Sequence, residues 1–355
     1  MDNSTKIRSK KYKTIGKLLE APIKSIILVS INEKDNNIRI YLFEWLYINH
    51  YSKKNMIGNL TSRIKHIANK PCYFYIIKNI FNNIDISQYN KTTKLILNNV
   101  CITFIKTLHM IEPSLIGVFL DYLMRRIICE KTNKIFCDNR ADTFCNITQT
   151  SVSNNDKEFI FSNLPISMND SYKNVKDTIH YKTENILIEI FITSLSHTLA
   201  FCGIPNQDKV NNIIYLIQNT PNIIEIFLTP LNNLCSELSN ESNDILLNST
   251  LGYKIPLLDN KNIPSDCDLI INDILYDIKC TGKDNSIYEI LQLLGYASLA
   301  NCGAIRWDPN YMKNIFNKKI NNISIINLLQ GYIINYDISY ITIEQMINYL
   351  KILTK

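Results

Sequence analysis

Two aspartates and a lysine in the last third of the chain have the types and the spacing to hold a divalent cation and act on a phosphate. Asp268 opens one apolar run, Leu269-Ile270-Ile271, and Asp277 and Lys279 close the next, which begins at Ile274. Between the runs, Asn272-Asp273 suits a two-residue hairpin turn, because Asn tolerates positive φ at little cost. With that turn Ile271 faces Ile274, Ile270 faces Leu275 and Leu269 faces Tyr276, and the same register carries Asp268 opposite Asp277. Like charges so placed have Cβ atoms roughly 4.5–5.5 Å apart and repel unless something neutralises them. Side chains alternate with period two, so Lys279 shares the face of Asp277 and Asp268, while Leu269, Ile271, Tyr276 and Ile278 form a buried face on the other side. Two hard oxygen ligands suit Mg²⁺ or Mn²⁺, ions that keep several waters and bind phosphate oxygens. An ammonium beside them can orient or deprotonate a water, or neutralise charge growing on a phosphate. The chemistry implied is hydrolysis of phosphodiester bonds.

The segment that follows adds to this group. Ser286 and Glu289 are spaced as a capping box, which specifies a helix start. Gln292 and Tyr296 then lie one turn apart on one helix face and offer hydrogen bonds to a phosphate or an attacking water. Competing residues are separated by context. Asp259 and Lys261 repeat the D-x-K spacing in a polar turn with no apolar strand around them. Asp266 also precedes the hairpin; an extended register sets it opposite Lys279, as an ion-pair partner, and leaves Asp268 as the first acid of the site.

Asp268, Asp277-Ile278-Lys279 and the Q-x-x-x-Y element Gln292 to Tyr296 together resemble the PD-(D/E)XK nuclease superfamily, in its RecB-like and lambda-exonuclease-like branch. That branch also carries, on a helix before the strands, a glycine followed four residues later by His, Glu or Asp. Gly117 and Asp121 are similar. The resemblance covers Glu112–Glu130 and about Gly252 to Gly331, and departs from the pattern at Pro264, which precedes Ser265 where the family has Pro-Asp. It implies that Asp268 and Asp277 bind Mg²⁺ or Mn²⁺, with Asp121 adding a ligand or holding a metal-bound water. It further implies that Lys279 assists the nucleophile, and that Gln292 and Tyr296 shape the site. Gly117 would then allow a close approach of helix to sheet.

Elements able to position these residues can be read from periodicity and turn signals. The pattern is helical from Lys91 to Glu130, broken at Glu112-Pro113, where the proline stops one helix and Ser114 can cap the next. Further helices are expected at about Thr183–Phe201, Lys209–Gln218 and Asn222–Leu238. Beyond Asn248 the texture changes to short strands near Tyr253–Leu258, Cys267–Ile271 and Ile274–Cys280, a helix from Ser286 to Ala300, strands near Ala304–Trp307, Ile323–Leu328 and Gly331–Tyr336, and a closing helix at Thr342–Leu353. The fold class expected is α/β: a restriction-endonuclease-like core, a small mixed sheet flanked by helices, with a mainly helical N-terminal region and a helical insertion. The regions are a basic tail (1–24), an N-terminal, mainly helical region (25–107), the first core helix (108–130), an insertion that starts as a polar loop (131–250) and the α/β core (251–355).

Composition bounds the alternatives. The chain has 355 residues, 46% of them hydrophobic and 20% charged, enough for a sizeable core and too apolar for disorder. Its 62 Ile and 46 Asn are the signature of an AT-rich genome, as in a large DNA virus or a parasite, so an isolated Asn or Lys carries little information. A net charge of +6 admits a polyanionic partner without requiring one. The ten cysteines include no C-x-x-C pair, which favours reduced thiols inside a cell over a disulfide framework or a zinc site. No run reaches the ~18 apolar residues of a membrane span. None of the five histidines forms an H-x-x-H pair. Arg125 and Arg126, one turn beyond Asp121, are candidates for clamping a nucleic-acid phosphate, and so is Lys283 in the loop before the Gln292 helix.

The expectation is therefore an intracellular, cytoplasmic Mg²⁺-dependent deoxyribonuclease, in the host cytoplasm if the source is viral. Its partner would be DNA, with RNA left open, and DNA ends or single strands are favoured over a specific sequence. The rivals are a non-catalytic nucleic-acid-binding or assembly protein that retains the fold, and an interaction protein working through its helical half.

Overall fold

The computed structural model describes residues 91–132, 184–201, 205–239, 245–247, 250–253, 265–282, 287–308, 311–313 and 319–354, with a few isolated positions besides. All of them belong to one compact unit, Gly58–Thr354. The basic tail, the runs between Ser25 and Tyr51, most of the polar loop after Lys131, and Lys283 lie outside the described residues.

The protein is α/β, with a mixed six-stranded sheet. Among the described residues the elements in chain order begin with strand β1 (Lys91–Leu95) and helices α1 (Asn99–Ile111), α2 (Pro113–Lys131), α3 (Glu184–Phe201) and α4 (Gln207–Asn219). A π-helical turn at Ile224–Leu228 then runs into α5 (Thr229–Ser239). Strands β2 (Ile245–Leu247), β3 (Thr250–Tyr253), β4 (Ser265–Asp266), β5 (Leu269–Ile271) and β6 (Ile274–Lys279) precede helix α6 (Ile287–Cys302). Strands β7 (Ala304–Asp308), β8 (Tyr311–Lys313), β9 (Asn322–Asn327) and β10 (Tyr332–Asp337) and helix α7 (Ile343–Thr354) complete the order.

The six-stranded sheet runs β1-β10-β9-β6-β5-β2, with β6 and β9 its parallel pair and the other neighbours antiparallel. A second sheet, β4-β3-β7-β8, stands where one small sheet was expected. Gly252, at φ 81, lies between Thr250 and Tyr253, where β3 shifts register against β7; glycine supplies the positive φ that such a bulge needs.

Each face of the main sheet is covered. Leu269, Ile271, Tyr276 and Ile278 join one hydrophobic core with the helices of the N-terminal half, as alternation predicts. Phe119 is central to it, edge-on to Phe191 of α3 and stacked on Phe227 of the π turn. Helix α6 packs on β6 and β9, and α7 packs on α6.

Several local outcomes differ from the sequence reading, each for a physical reason. Lys91–Leu95 is a strand, paired antiparallel with β10, and helix starts only after Asn98, whose Oδ1 accepts from the Cys101 amide at 2.8 Å. Pro113 occupies the first turn of α2, where its missing N–H costs nothing, and Ser114 is no cap: its hydroxyl donates to Glu112 Oε1. The single helix expected over Asn222–Leu238 opens into a π turn just before Pro230, which lacks the N–H that an unbroken α-helix would use.

Candidate active site

β5 and β6 pair in the expected register, Leu269 with Tyr276, Ile270 with Leu275 and Ile271 with Ile274, and Asn272 in the turn has φ 55. The ladder stops there. Asp266 belongs to β4, where it pairs with Thr250, so the extended register that set it opposite Lys279 does not form. Asp268 is not a backbone partner of Asp277 either. Its Oδ2 accepts from the Ile278 amide at 3.0 Å, taking the place of the strand that β5, three residues long, no longer provides.

That bond still draws Asp268 to the side of Asp277, because Ile278 is the next residue. The Asp277 side chain is buried, 5% exposed, and its Oδ2 pairs with Lys279 Nζ at 2.8 Å. Burial raises the Asp277 carboxyl strongly; Lys279 opposes the rise, Asp268 adds to it, and the outcome is about 7. Lys279 moves the other way. Burial alone would lower its ammonium, but Asp277 and Asp268 outweigh that and hold it above its ordinary value, with Tyr296 contributing. Lys279 is therefore protonated at neutral pH.

Helix α6 closes the site from above. Gln292 and Tyr296 are both buried, and Gln292 Nε2 donates to the Tyr296 hydroxyl at 2.9 Å. Tyr288, one turn earlier, is a residue the sequence reading passed over. Its phenol is raised by burial, with Lys279 opposing and Asp277 and Glu289 adding, so it stands within the field of the same pair. In a chain with 20 tyrosines nothing in the sequence singles it out.

Beyond β6 the chain is braced against the β9–β10 turn. Asn327, fully buried and in register with Lys279, donates through Nδ2 to the Thr281 carbonyl at 3.0 Å, while Gln330 Nε2 donates to the Gly282 carbonyl at 3.1 Å. Gly331, at φ 72, fills that turn where a Cβ would run into Ile102 of α1.

The helix-borne residues are placed differently from expectation. α2 does meet β6, but a Cβ added at Gly117 would lie 4.0 Å from Cys280 Cβ, an ordinary contact, so no unusually close approach requires the glycine. The Asp121 carboxylate is held by Arg125 in a bidentate pair, Nε to Oδ1 at 3.0 Å and Nη2 to Oδ2 at 2.8 Å. Among the described residues no three His, Cys, Asp or Glu side chains gather as a metal site, so Asp121 does not join Asp268 and Asp277 in a ligand trio. Arg125 and Arg126, at 2% and 3% exposure, point into the protein; Arg125 also lies over the Tyr122 ring, 6.0 Å from its centroid. A clamp on an external phosphate needs exposed guanidinium groups, which these are not.

The site thus consists of Asp268, Asp277 and Lys279 at the end of β6, roofed by the α6 residues Gln292 and Tyr296. Two adjoining carboxylates, one with its proton affinity raised by burial and by the other, form a donor set in which a divalent cation could replace the proton. Among the described residues no helix is long and apolar enough to cross a membrane. No family model, curated protein or solved structure matches the chain.

Proposed function

We propose that the protein is a metal-dependent nuclease that hydrolyses phosphodiester bonds in DNA, built on a restriction-endonuclease-like core. The observation that carries this reading is the convergence of Asp268, Asp277 and Lys279 at the end of one central strand, beneath Gln292 and Tyr296. Asp268 and Asp277 would hold Mg²⁺ or Mn²⁺, which when bound supplies Lewis-acid activation of a phosphoryl oxygen and of water.

The remaining chemistry falls to the chain itself. A protonated Lys279 cannot take a proton from water, so of the two roles open to it the ammonium fills the electrostatic one: Nζ donates to a phosphate oxygen as negative charge builds there. The Asp277 pair fixes Nζ in place. Gln292 and Tyr296, joined by their own hydrogen bond, support the wall over the lysine and limit water access to it.

The test is incubation of the full chain with end-labelled linear DNA, circular DNA and RNA, with Mg²⁺, Mn²⁺ or EDTA. Metal-dependent cleavage of DNA is expected, falling at least about 100-fold in Asp277→Ala and Lys279→Ala, the loss typical of removing one transition-state donor. Activity that survives both substitutions would sink the site assignment. DNA binding without turnover in every metal would favour the non-catalytic reading.

A further inference from the structure

Helix α4 turns one face inward and the other out. Val210, Ile213 and Ile217 are fully buried where it packs on α3 and α1, while Asn212, Tyr215 and Gln218 are exposed. Along the outer face lies a groove of about 520 Å³, lined by these three residues and completed by Leu164 and Pro165. That volume falls within the ~300–1,000 Å³ of small-ligand sites. No charged side chain lines it. Asparagine and tyrosine are common in this chain, so their presence says little, but their state here does. Tyr215 is 64% exposed, the one aromatic among the exposed large apolar residues of the described chain. Among the described residues its hydroxyl and the amides of Asn212 and Gln218 make no hydrogen bond. Nor does the helix need those amides for its ends: Asn206 Oδ1 accepts from the Lys209 amide at 3.2 Å, and Asn219 Nδ2 donates to the Tyr215 carbonyl at 2.8 Å.

We propose that this groove binds an unpaired nucleobase of a single strand, stacked on the Tyr215 ring and hydrogen-bonded along its edge by the Asn212 and Gln218 amides. Three features of the lining select that ligand. An uncharged wall suits a neutral ring and gives no hold on a phosphate. An exposed aromatic offers a stacking platform that any base can use. An amide carries a donor and an acceptor in one plane, which matches the paired donors and acceptors of a base edge. A sugar can also stack on tyrosine, but its hydroxyls project off the ring plane and match planar amides less well. A base inside a duplex has both its faces and its pairing edge occupied, so the strand must be single. These residues are separate from Asp268, Asp277 and Lys279, and the binding is expected whether or not the strand is cut.

The experiment measures binding of a fluorescein-labelled single-stranded oligodeoxynucleotide to the full chain in EDTA, for wild type, Tyr215→Ala and Gln218→Ala. Loss of one base stack should weaken binding about tenfold, and loss of one amide contact about threefold. Both side chains are exposed, so thermal midpoints should stay at the wild-type value. A strand of the same length whose sugars carry no bases keeps every phosphate and should bind all three proteins alike. Saturation-transfer NMR with thymidine and with methyl glucoside then identifies the ring: signal is expected on the thymine protons, and it should vanish in Tyr215→Ala.

Equal binding of the natural strand by wild type and both variants would overturn the proposal, and so would a tenfold difference that persists on the abasic strand. Transfer to methyl glucoside and not to thymidine would assign the groove to a sugar and overturn it as well. The nuclease reading is decided elsewhere, by cleavage in Mg²⁺ and its loss in Asp277→Ala. Tyr215-dependent binding without cleavage in any metal supports this inference and counts against that reading, whereas cleavage with no effect of Tyr215→Ala on binding does the reverse.

Discussion

The Asp268 carboxylate caps the backbone of the strand that carries Asp277: its Oδ2 accepts from the Ile278 amide at 3.0 Å. One side chain thus serves the fold and the site together, and substitution can separate the two roles. Asp268→Asn keeps a carbonyl oxygen for the amide and should stay within about 1 kcal/mol of wild type in urea unfolding. Asp268→Ala leaves a buried N–H without its partner and should cost about 1–3 kcal/mol. On the proposed nuclease reading both should lose metal-dependent cleavage, since each would remove a charged ligand. Equal stability of the two variants would show that the bond contributes nothing.

The buried Asp277 makes stability depend on pH in a definite direction. Its folded value of about 7 lies above the ordinary 3.8 of an unfolded chain. Between these values the folded protein holds a proton that the unfolded chain has released, so stability from this group falls as pH rises through the window and is lowest above about 7. In EDTA, wild type should lose more stability between pH 4.5 and pH 7.5 than Asp277→Asn. If the site holds Mg²⁺ as proposed, the cation should return part of it at the upper pH, because it would bind only the deprotonated folded form. Urea midpoints with and without metal check both signs, and a parallel pH response in the variant would contradict them.

Arg125 is bound to Asp121 inside the protein, so its removal should be felt as instability and not as weaker DNA binding. Arg125→Ala removes both guanidinium bonds from a largely buried carboxylate and should cost about 3 kcal/mol. The dependence of DNA affinity on salt should keep its wild-type slope, which counts phosphate contacts. A slope reduced by about one would restore the phosphate-clamping role.

Gly331 joins two conditions that only glycine meets, a φ of 72 and a Cβ position already taken by Ile102. Gly331→Ala should destabilise by about 1–3 kcal/mol. Activity per folded molecule should fall as well, because Asn327 and Gln330 of the same turn hold the carbonyls of Thr281 and Gly282 just beyond Lys279. Thermal unfolding and active-fraction titration separate the two effects.

What the sequence reveals of this site follows from how local each determinant is. The β5–β6 register was readable because a two-residue turn and two apolar runs leave one pairing that buries Leu269, Ile271, Tyr276 and Ile278 together. Where the ladder ends was not, since no alternation rule says that β5 stops at Leu269 and hands its next hydrogen bond to a carboxylate. The same limit hid β1. Lys91–Leu95 has its partner some 240 residues away in β10, and its residues run without a break signal into the helical pattern that begins at Asn98. The burial of Arg125 and Arg126 depends on which helices surround α2, a tertiary matter that charge alone does not disclose. Tyr288 was passed over because spacing by four is weak information where tyrosine is abundant.

The pairing of β1 with β10 also sets an order of events. As the chain leaves the ribosome, residues 91–95 must wait for 332–336, made some 240 residues later, before that edge of the sheet can close. The helices α1 to α5 meanwhile lack Leu269, Ile271, Tyr276 and Ile278, which complete their core. Closing so long a loop is slow, and the unfinished helical half carries bare apolar surface until it happens. A nascent or truncated chain ending near residue 250 should therefore be retained by chaperones, and native structure should form only after synthesis passes β10.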